Sequence, residues 1–269
     1  MKYKKIILIG QATIAHNVSK SLLAYRELLQ VIAYKPHHLC VLKTFCQKHQ
    51  IPYASYQDGL LLREFFDSIE DKTLIISANN HYIFPASILS KPNLKIINFH
   101  NALLPLHKGV NAPIWSIYNQ DKTTGVTWHL VSGELDSGDI IIQKEIQLSK
   151  NLTSLDLIKR LMGLGLEAFL EIKDDLLGDT LTTFPMPKSS QKPHKSSDIP
   201  NNGYIKIEWE KEKISAFLRS MDAPGIMPKP KIRLGQEDYS IIKYSINQPL
   251  QGSLLLSKDN IYMLLGGGA

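Results

Sequence analysis

The sequence predicts an α/β protein with a mostly parallel sheet and a small β-rich appendage. Three observations carry that prediction. Short β-branched runs alternate with segments of helical period through residues 1–181. The runs are continuously apolar rather than alternating, as expected of parallel strands covered on both faces. Residues 182–202 are then rich in Pro, Ser and Lys with no apolar period, and the rest, 203–269, turns to short alternating strands with Gly and Asn between them. The expected organisation is a main domain over 1–181, a linker over 182–202 and a small subdomain over 203–269.

At 269 residues, with 43% hydrophobic and 21% charged residues, the chain has the composition of an ordinary globular protein and no sign of wholesale disorder. Its amino terminus, MKYKKIILIG, has the basic start of a signal peptide, but the apolar run is too short and is broken at Gln11. No run approaches the roughly 18 apolar residues of a membrane span, so no membrane partner is expected. Two cysteines, Cys40 and Cys46, make neither a disulfide framework nor a zinc set; they read as buried apolar residues of a reduced, cytoplasmic protein. The histidines are scattered, so no metal site is expected. A net charge of +6 suits anionic partners and serves equally well for solubility alone.

Lys5 to Gly10 (KIILIG) ends in the glycine of a tight turn, and QATIAHNVSKSLLAY after it has helical spacing. With one glycine at that turn, the three-glycine dinucleotide fingerprint is absent, while a backbone-amide anion site at the helix start stays open. Gln30 to Tyr34 reads as a second strand, Val41 to Gln50 and Gly59 to Ser68 as helices, and Leu74 to Ser77 as a buried strand. Strand-helix repetition of this kind places a site at the strands' carboxyl ends. A helix from Ala112, a strand over Val126 to Val131, an edge strand from Ile140 interrupted by Lys144 and Glu145, and a long helix over Leu155 to Leu177 complete the domain.

Three polar side chains interrupt the apolar pattern between Ile96 and Gln143. Asn98 and His100 follow Ile96 and Ile97 at the end of a strand, two residues apart and therefore on one face. An amide that donates two hydrogen bonds beside an imidazole suits a developing oxyanion and a mobile proton. Asp136, in a Gly/Ser-rich loop beyond the next strand, is placed to fix the histidine tautomer or raise its pKa. On the residues alone, turn caps and a satisfied core histidine explain the same pattern.

The order NFH, LLP and Gly, then GVT, His129 and LDSGDII resembles the signature of the 10-formyltetrahydrofolate-dependent formyltransferases, over roughly half the chain. The resemblance implies a Rossmann-like formyltransferase fold and puts the catalytic Asn, His and Asp on Asn98, His100 and Asp136. It implies 10-formyltetrahydrofolate as formyl donor, without a metal. The pterin would lie against Tyr82, Ile83 and Phe84 on one side and Val131, Ser132, Gly133, Leu135 and Asp136 on the other. Acceptor candidates by the same resemblance are Gly10, Gln11, Ala12 and Thr13, with His107 and Lys108, for which tight or solvated turns are the alternative. His129 matches a recurrent family histidine and reads equally well as core.

The acceptor implied is a small-molecule amine, such as a nucleotide-linked amino sugar or a natural-product amine. The segment from Gly203 resembles a truncated carboxyl-terminal domain of the methionyl-tRNA enzymes, too short for their full β-barrel, which disfavours tRNA as the partner. Hydrolases of formyltetrahydrofolate share the three polar residues but carry a preceding regulatory domain, whereas here the catalytic pattern starts at residue 1. A non-catalytic folate-binding module is the remaining alternative. Strands near the carboxyl terminus leave an edge on which a homodimer can form.

Overall fold

The computed structural model describes residues 2–36 and 41–266. Cys40 lies outside the described residues, and Cys46 is buried. Strand and helix alternate as expected, with β3 and α4 in addition to the elements read from the sequence: β1 (Lys5–Gly10), α1 (Ala12–Ser21), β2 (Leu29–Tyr34), α2 (Val41–His49), β3 (Tyr53–Tyr56), α3 (Gly59–Asp67), β4 (Thr73–Ala78), α4 (Ala86–Leu89) and β5 (Leu94–His100). Next come α5 (Ala112–Tyr118), β6 (Thr123–Leu130), β7 (Ile140–Gln147) and α6 (Ser154–Gly178). The β-rich end holds β8 (Tyr204–Ile205), α7 (Lys211–Met221), β9 (Lys231–Leu234), β10 (Glu237–Ile246), β11 (Leu255–Lys258) and β12 (Ile261–Gly266).

The chain divides into two compact units that are discontinuous in sequence: residues 1–108, 125–145 and 161–191, and residues 109–124, 146–160 and 192–269. Residues 182–202, expected as a linker, are thus shared between them. In the first unit this stretch is anchored by paired bonds between Phe184 and Ile140, and in the second by a bond from Val110 N–H to the His194 carbonyl.

The main sheet has seven strands in the order β3-β2-β1-β4-β5-β6-β7. From β3 to β5 the pairing is parallel, and β6 runs antiparallel to β5. Its apolar strands are covered on both faces: β4 is buried at every position. Burial of each large apolar side chain contributes about 1.5–3 kcal/mol, which is why such runs specify the layer. Two glycines are needed for close approach. A Cβ on Gly10 would sit 2.0 Å from the Ala78 carbonyl oxygen, and one on Gly165 of α6 would sit 2.2 Å from the Phe99 ring. Trp128, fully buried beside Phe99, donates its indole N–H to the Gly165 carbonyl at 2.9 Å.

The second unit holds a five-stranded sheet in the order β11-β12-β10-β9-β8. Its core joins Ile214, Phe217 and Leu218 of α7 to Ile232, Ile241 and Met263 of the sheet and Ile114 of α5. Arg219 is buried here, donating to the Leu152 carbonyl at 2.9 Å and to Ser215 Oγ at 3.2 Å. β8 stops at Ile205, because the chain turns: Trp209 N–H bonds the Lys206 carbonyl and its ring packs edge-on to Phe217. Among the described residues no helix is long and apolar enough to cross a membrane, and no group of three His, Cys, Asp or Glu is gathered to hold a metal ion.

Candidate active site

Strand register builds the site. Ser77 ends the apolar run of β4 and lies beside Asn98 of β5, and Asn98 lies beside His129 of β6. Cross-strand neighbours point to the same face, so Ser77, Asn98 and His129 form one row at the carboxyl end of β4 and β5. His100, two residues beyond Asn98, shares that face.

The row is hydrogen-bonded along its length. Ser77 Oγ donates to Asn98 Oδ1 at 2.8 Å. Asn98 Nδ2 lies 3.2 Å from His129 Nε2, and His129 Nδ1 lies 2.7 Å from the Leu130 carbonyl oxygen. A carbonyl only accepts, so His129 carries its proton on Nδ1 and takes a hydrogen bond from Asn98 on Nε2. One Nδ2–H of Asn98 is then left for another acceptor.

Beyond β6, Leu130 N–H bonds the Asp139 carbonyl, closing the neck of a loop whose tip, Gly133 to Leu135, is exposed. Asp136 adopts a left-handed backbone at φ 48° and returns its side chain inward, where it is 8% exposed. Asx side chains tolerate this conformation better than most. Its two oxygens each approach a histidine: Oδ2 is 3.6 Å from His100 Nδ1, and Oδ1 is 3.6 Å from His129 Nε2. Both gaps exceed hydrogen-bond length.

His100 is held from its other side, Nε2–H donating to the His107 carbonyl at 2.9 Å. The tautomer is therefore set by a backbone carbonyl, and of the two roles read for Asp136, fixing the tautomer or raising the pKa, it is the second that Asp136 takes. Burial pushes the His100 pKa below its ordinary value, helped by the neighbouring His129; Asp136 and the His107 carbonyl push it up without reversing the sign. His100 is accordingly neutral near pH 7, with Nδ1 bare and facing a carboxylate. Such a nitrogen can take a proton, and Asp136 would stabilise the cation formed. Side-chain bonds brace the segment after β5 and with it the His107 carbonyl. Thr127 Oγ1 donates to the Ala102 carbonyl and accepts from Leu104 N–H, and Gln143 Nε2 donates to Thr127 and to the Leu104 carbonyl.

The other candidates fall into four groups. Tyr82 and Phe84 are buried in an aromatic cluster with Phe66, whereas Ile83 between them is 74% exposed. Val131 is half-buried; Ser132 bonds Ser137 and the Glu134 carbonyl; Leu135 is 46% exposed. The backbone N–H groups of Gly133, Glu134 and Leu135 have no backbone partner among the described residues. In the first turn, Gly10 is buried against Ala78 and Gln11 Nε2 bonds the Tyr34 carbonyl, which leaves Ala12 and Thr13 exposed at the end of β1. His107 is buried at φ 50° and gives the site its carbonyl, while Lys108 is half-exposed. Ser77 and Gln143 were not singled out from the sequence. A lone Ser closing the apolar run of the strand beside Asn98 was the available signal for the first.

Residues 29–172 match the family model described as formyl transferase. Methionyl-tRNA formyltransferase of Flavobacterium psychrophilum is 28% identical over 81% of this chain and 75% of its own length. GDP-perosamine N-formyltransferase of Brucella melitensis is 25% identical over 59% of this chain and 60% of its own. Among such relatives the matched share of the relative's own length runs from 36% to 75%. The N-formyltransferase of Helicobacter canadensis, solved with folinic acid and dTDP-3-aminofucose, superposes with a TM-score of 0.76 at 19% identity, over 98% of this chain and 99% of that one. Its likeness shows a shared fold. Since the family match takes in more than half of the residues, including Asn98, His100 and Asp136, the chain belongs to the formyl transferase family of formyl-transferring enzymes.

Proposed function

We propose that this protein transfers the formyl group of 10-formyltetrahydrofolate to a primary amine of a small molecule, a nucleotide-linked amino sugar being the favoured acceptor. One observation carries the reaction: a neutral His100 whose bare Nδ1 faces Asp136, next to an Asn98 with one N–H to spare. The donor supplies an activated formyl carbon. Attack by an unprotonated amine would place negative charge on the formyl oxygen, where the spare Asn98 N–H stabilises it by about 3–4 kcal/mol. His100 Nδ1 takes the amine proton, Asp136 balances the resulting charge, and the proton passes on to the departing nitrogen. Exposed Ile83 and Leu135, with the backbone donors at Gly133 to Leu135, suit a flat ring bearing acceptors along one edge.

The sugar acceptor is supported by the likeness to the Helicobacter sugar enzyme, which aligns over nearly the whole of both chains. The methionyl-tRNA reading keeps weight from the Flavobacterium relative's identity over 81% of this chain. The test is release of tetrahydrofolate from 10-formyltetrahydrofolate in the presence of nucleotide-linked amino sugars, simple amines, charged methionyl-tRNA or water alone. Release dependent on an amino sugar supports the proposal; dependence on tRNA, with a salt-sensitive gel shift, supports the second reading. Release with water alone points to a hydrolase, and tight folate binding with no release to a binding module.

A further inference from the structure

We propose that Ser77 is a positioning residue that fixes which way round the Asn98 amide sits, and so decides whether an N–H or a carbonyl oxygen faces the reacting formyl group. Such a role rests on the formyl-transfer reading and adds to it a residue that touches none of the reacting atoms.

An asparagine amide is nearly symmetric in shape but opposite in chemistry at its two ends. Turned one way, Asn98 offers a donor to a developing oxyanion; turned the other, it offers an oxygen that repels one. Two neighbours favour the first arrangement. On one side His129 commits Nδ1 to the Leu130 carbonyl, so in the neutral ring Nε2, 3.2 Å from Asn98 Nδ2, is the acceptor that an amide N–H requires. On the other side the Ser77 hydroxyl, 2.8 Å from Asn98 Oδ1, is the donor that the oxygen requires. The hydroxyl can also accept, and Asn80 takes one of its lone pairs: its Nδ2 lies 3.4 Å from Ser77 Oγ, aimed by a second bond to the Tyr82 carbonyl at 3.1 Å, which leaves the O–H to donate to Asn98. Donors thus run in one direction, from Asn80 to Ser77 to Asn98 to His129 to the Leu130 carbonyl. Asn80 is itself oriented, since its Oδ1 accepts from Tyr82 N–H at 3.0 Å.

Ser77 is 2% exposed and Asn98 only partly so; water is poorly placed to substitute for the hydroxyl. Removing it leaves Asn98 Oδ1 without its donor and lets the amide spend time turned over.

The test compares wild type, Ser77→Ala and Ser77→Thr by steady-state kinetics and by NMR of 15N-labelled protein, reading the scalar coupling across the hydrogen bond from Asn98 Nδ2 to His129 Nε2. In Ser77→Ala, kcat is expected to fall roughly tenfold, the scale of one misdirected hydrogen bond, with KM for the folate donor within about twofold. The coupling should weaken in Ser77→Ala and return in Ser77→Thr together with most of kcat. A merely structural role for Ser77 would lower the melting temperature but leave the coupling and the kcat of the folded enzyme in place. Wild-type kcat or an undiminished coupling in Ser77→Ala overturns the proposal, as does a folded Ser77→Thr that is as slow as the alanine variant. Absence of formyl transfer by the wild type would sink the functional reading and the catalytic role built on it, while the coupling would still decide the orientation.

Discussion

The two ends of the main sheet each hold an aspartate in a left-handed backbone, and the two are treated oppositely. At the amino ends of β1, β4 and β5, Asp179 (φ 58°) is saturated: Lys72 Nζ reaches it at 2.6 Å, Lys95 Nζ bonds its other oxygen, and the Tyr3 hydroxyl donates at 2.9 Å. At the carboxyl ends, Asp136 (φ 48°) stands 3.6 Å from each of two histidines. Bonds to Lys72 and Lys95 hold the Asp179 pKa well below the carboxylate range, and the Tyr3 hydroxyl is pushed up by burial and then by the same aspartate. Asp179 thus fastens the end of α6 to three strand starts. Asp136 faces a neutral imidazole whose bare nitrogen can take a proton. A carboxylate bonded to fixed cations stabilises the resting fold, whereas one set beside a proton acceptor also stabilises the moved proton.

Breaking the carboxyl end should show first in turnover. His100→Ala is expected to lower kcat by about 10²–10⁴-fold, the range of general acid-base catalysis, with folate affinity largely kept. Equilibrium binding of the folate beside single-turnover rates checks this; a variant that retains its rate removes His100 from the mechanism.

Acidity separates the two ends further. A His100 pKa lowered in the folded state means that the histidine takes up a proton at ordinary acidity only once unfolded. Stability therefore begins to fall as pH drops below about 6.5, the unfolded value, and keeps falling until the depressed folded pKa is reached. The kcat profile of the wild type should have its acid limb below about pH 6.5. A limb above that value which disappears in an Asp136→Asn variant would instead show a raised histidine. Asp179, also depressed, contributes stability fully present above about pH 3.9 and lost as pH falls towards its folded pKa. Denaturant titrations across pH resolve the two windows.

Breaking the amino end should show in stability alone. Asp179→Ala is expected to cost about 1–2 kcal/mol, discounted because Lys72 and Lys95 can rehydrate, with kcat unchanged. A kcat drop in the folded variant would mean that the two ends are not independent. Tyr3→Phe, which removes one of the three bonds, should cost about 0.5–1.5 kcal/mol by the same denaturation measurement.

Much of the layer structure was legible because burial on both faces leaves a sequence trace: KIILIG, LIIS and the run before Asn98 had to be strands of a covered sheet. Two strands left weaker traces. β3 (YASY) is a half-buried four-residue edge, and β12 (IYMLLG) alternates between buried and half-buried positions within a mostly apolar run. Asn98, His100 and Asp136 stood out because each breaks an apolar or turn pattern. His129 did not, since a lone histidine in a strand reads equally well as core, and only its register opposite Asn98 gives it work.

By itself the sequence determined the strand-helix order, the apolar layer and the three polar residues that interrupt it, because periodicity and composition are local properties. It carried no information on proton placement. Which nitrogen of His100 is bare, which way the Asn98 amide points and which cations hold Asp179 were decided only in the tertiary structure. The reason is geometric: each depends on a hydrogen-bond partner from another strand or loop, brought within bonding distance or held just beyond it by register and loop closure.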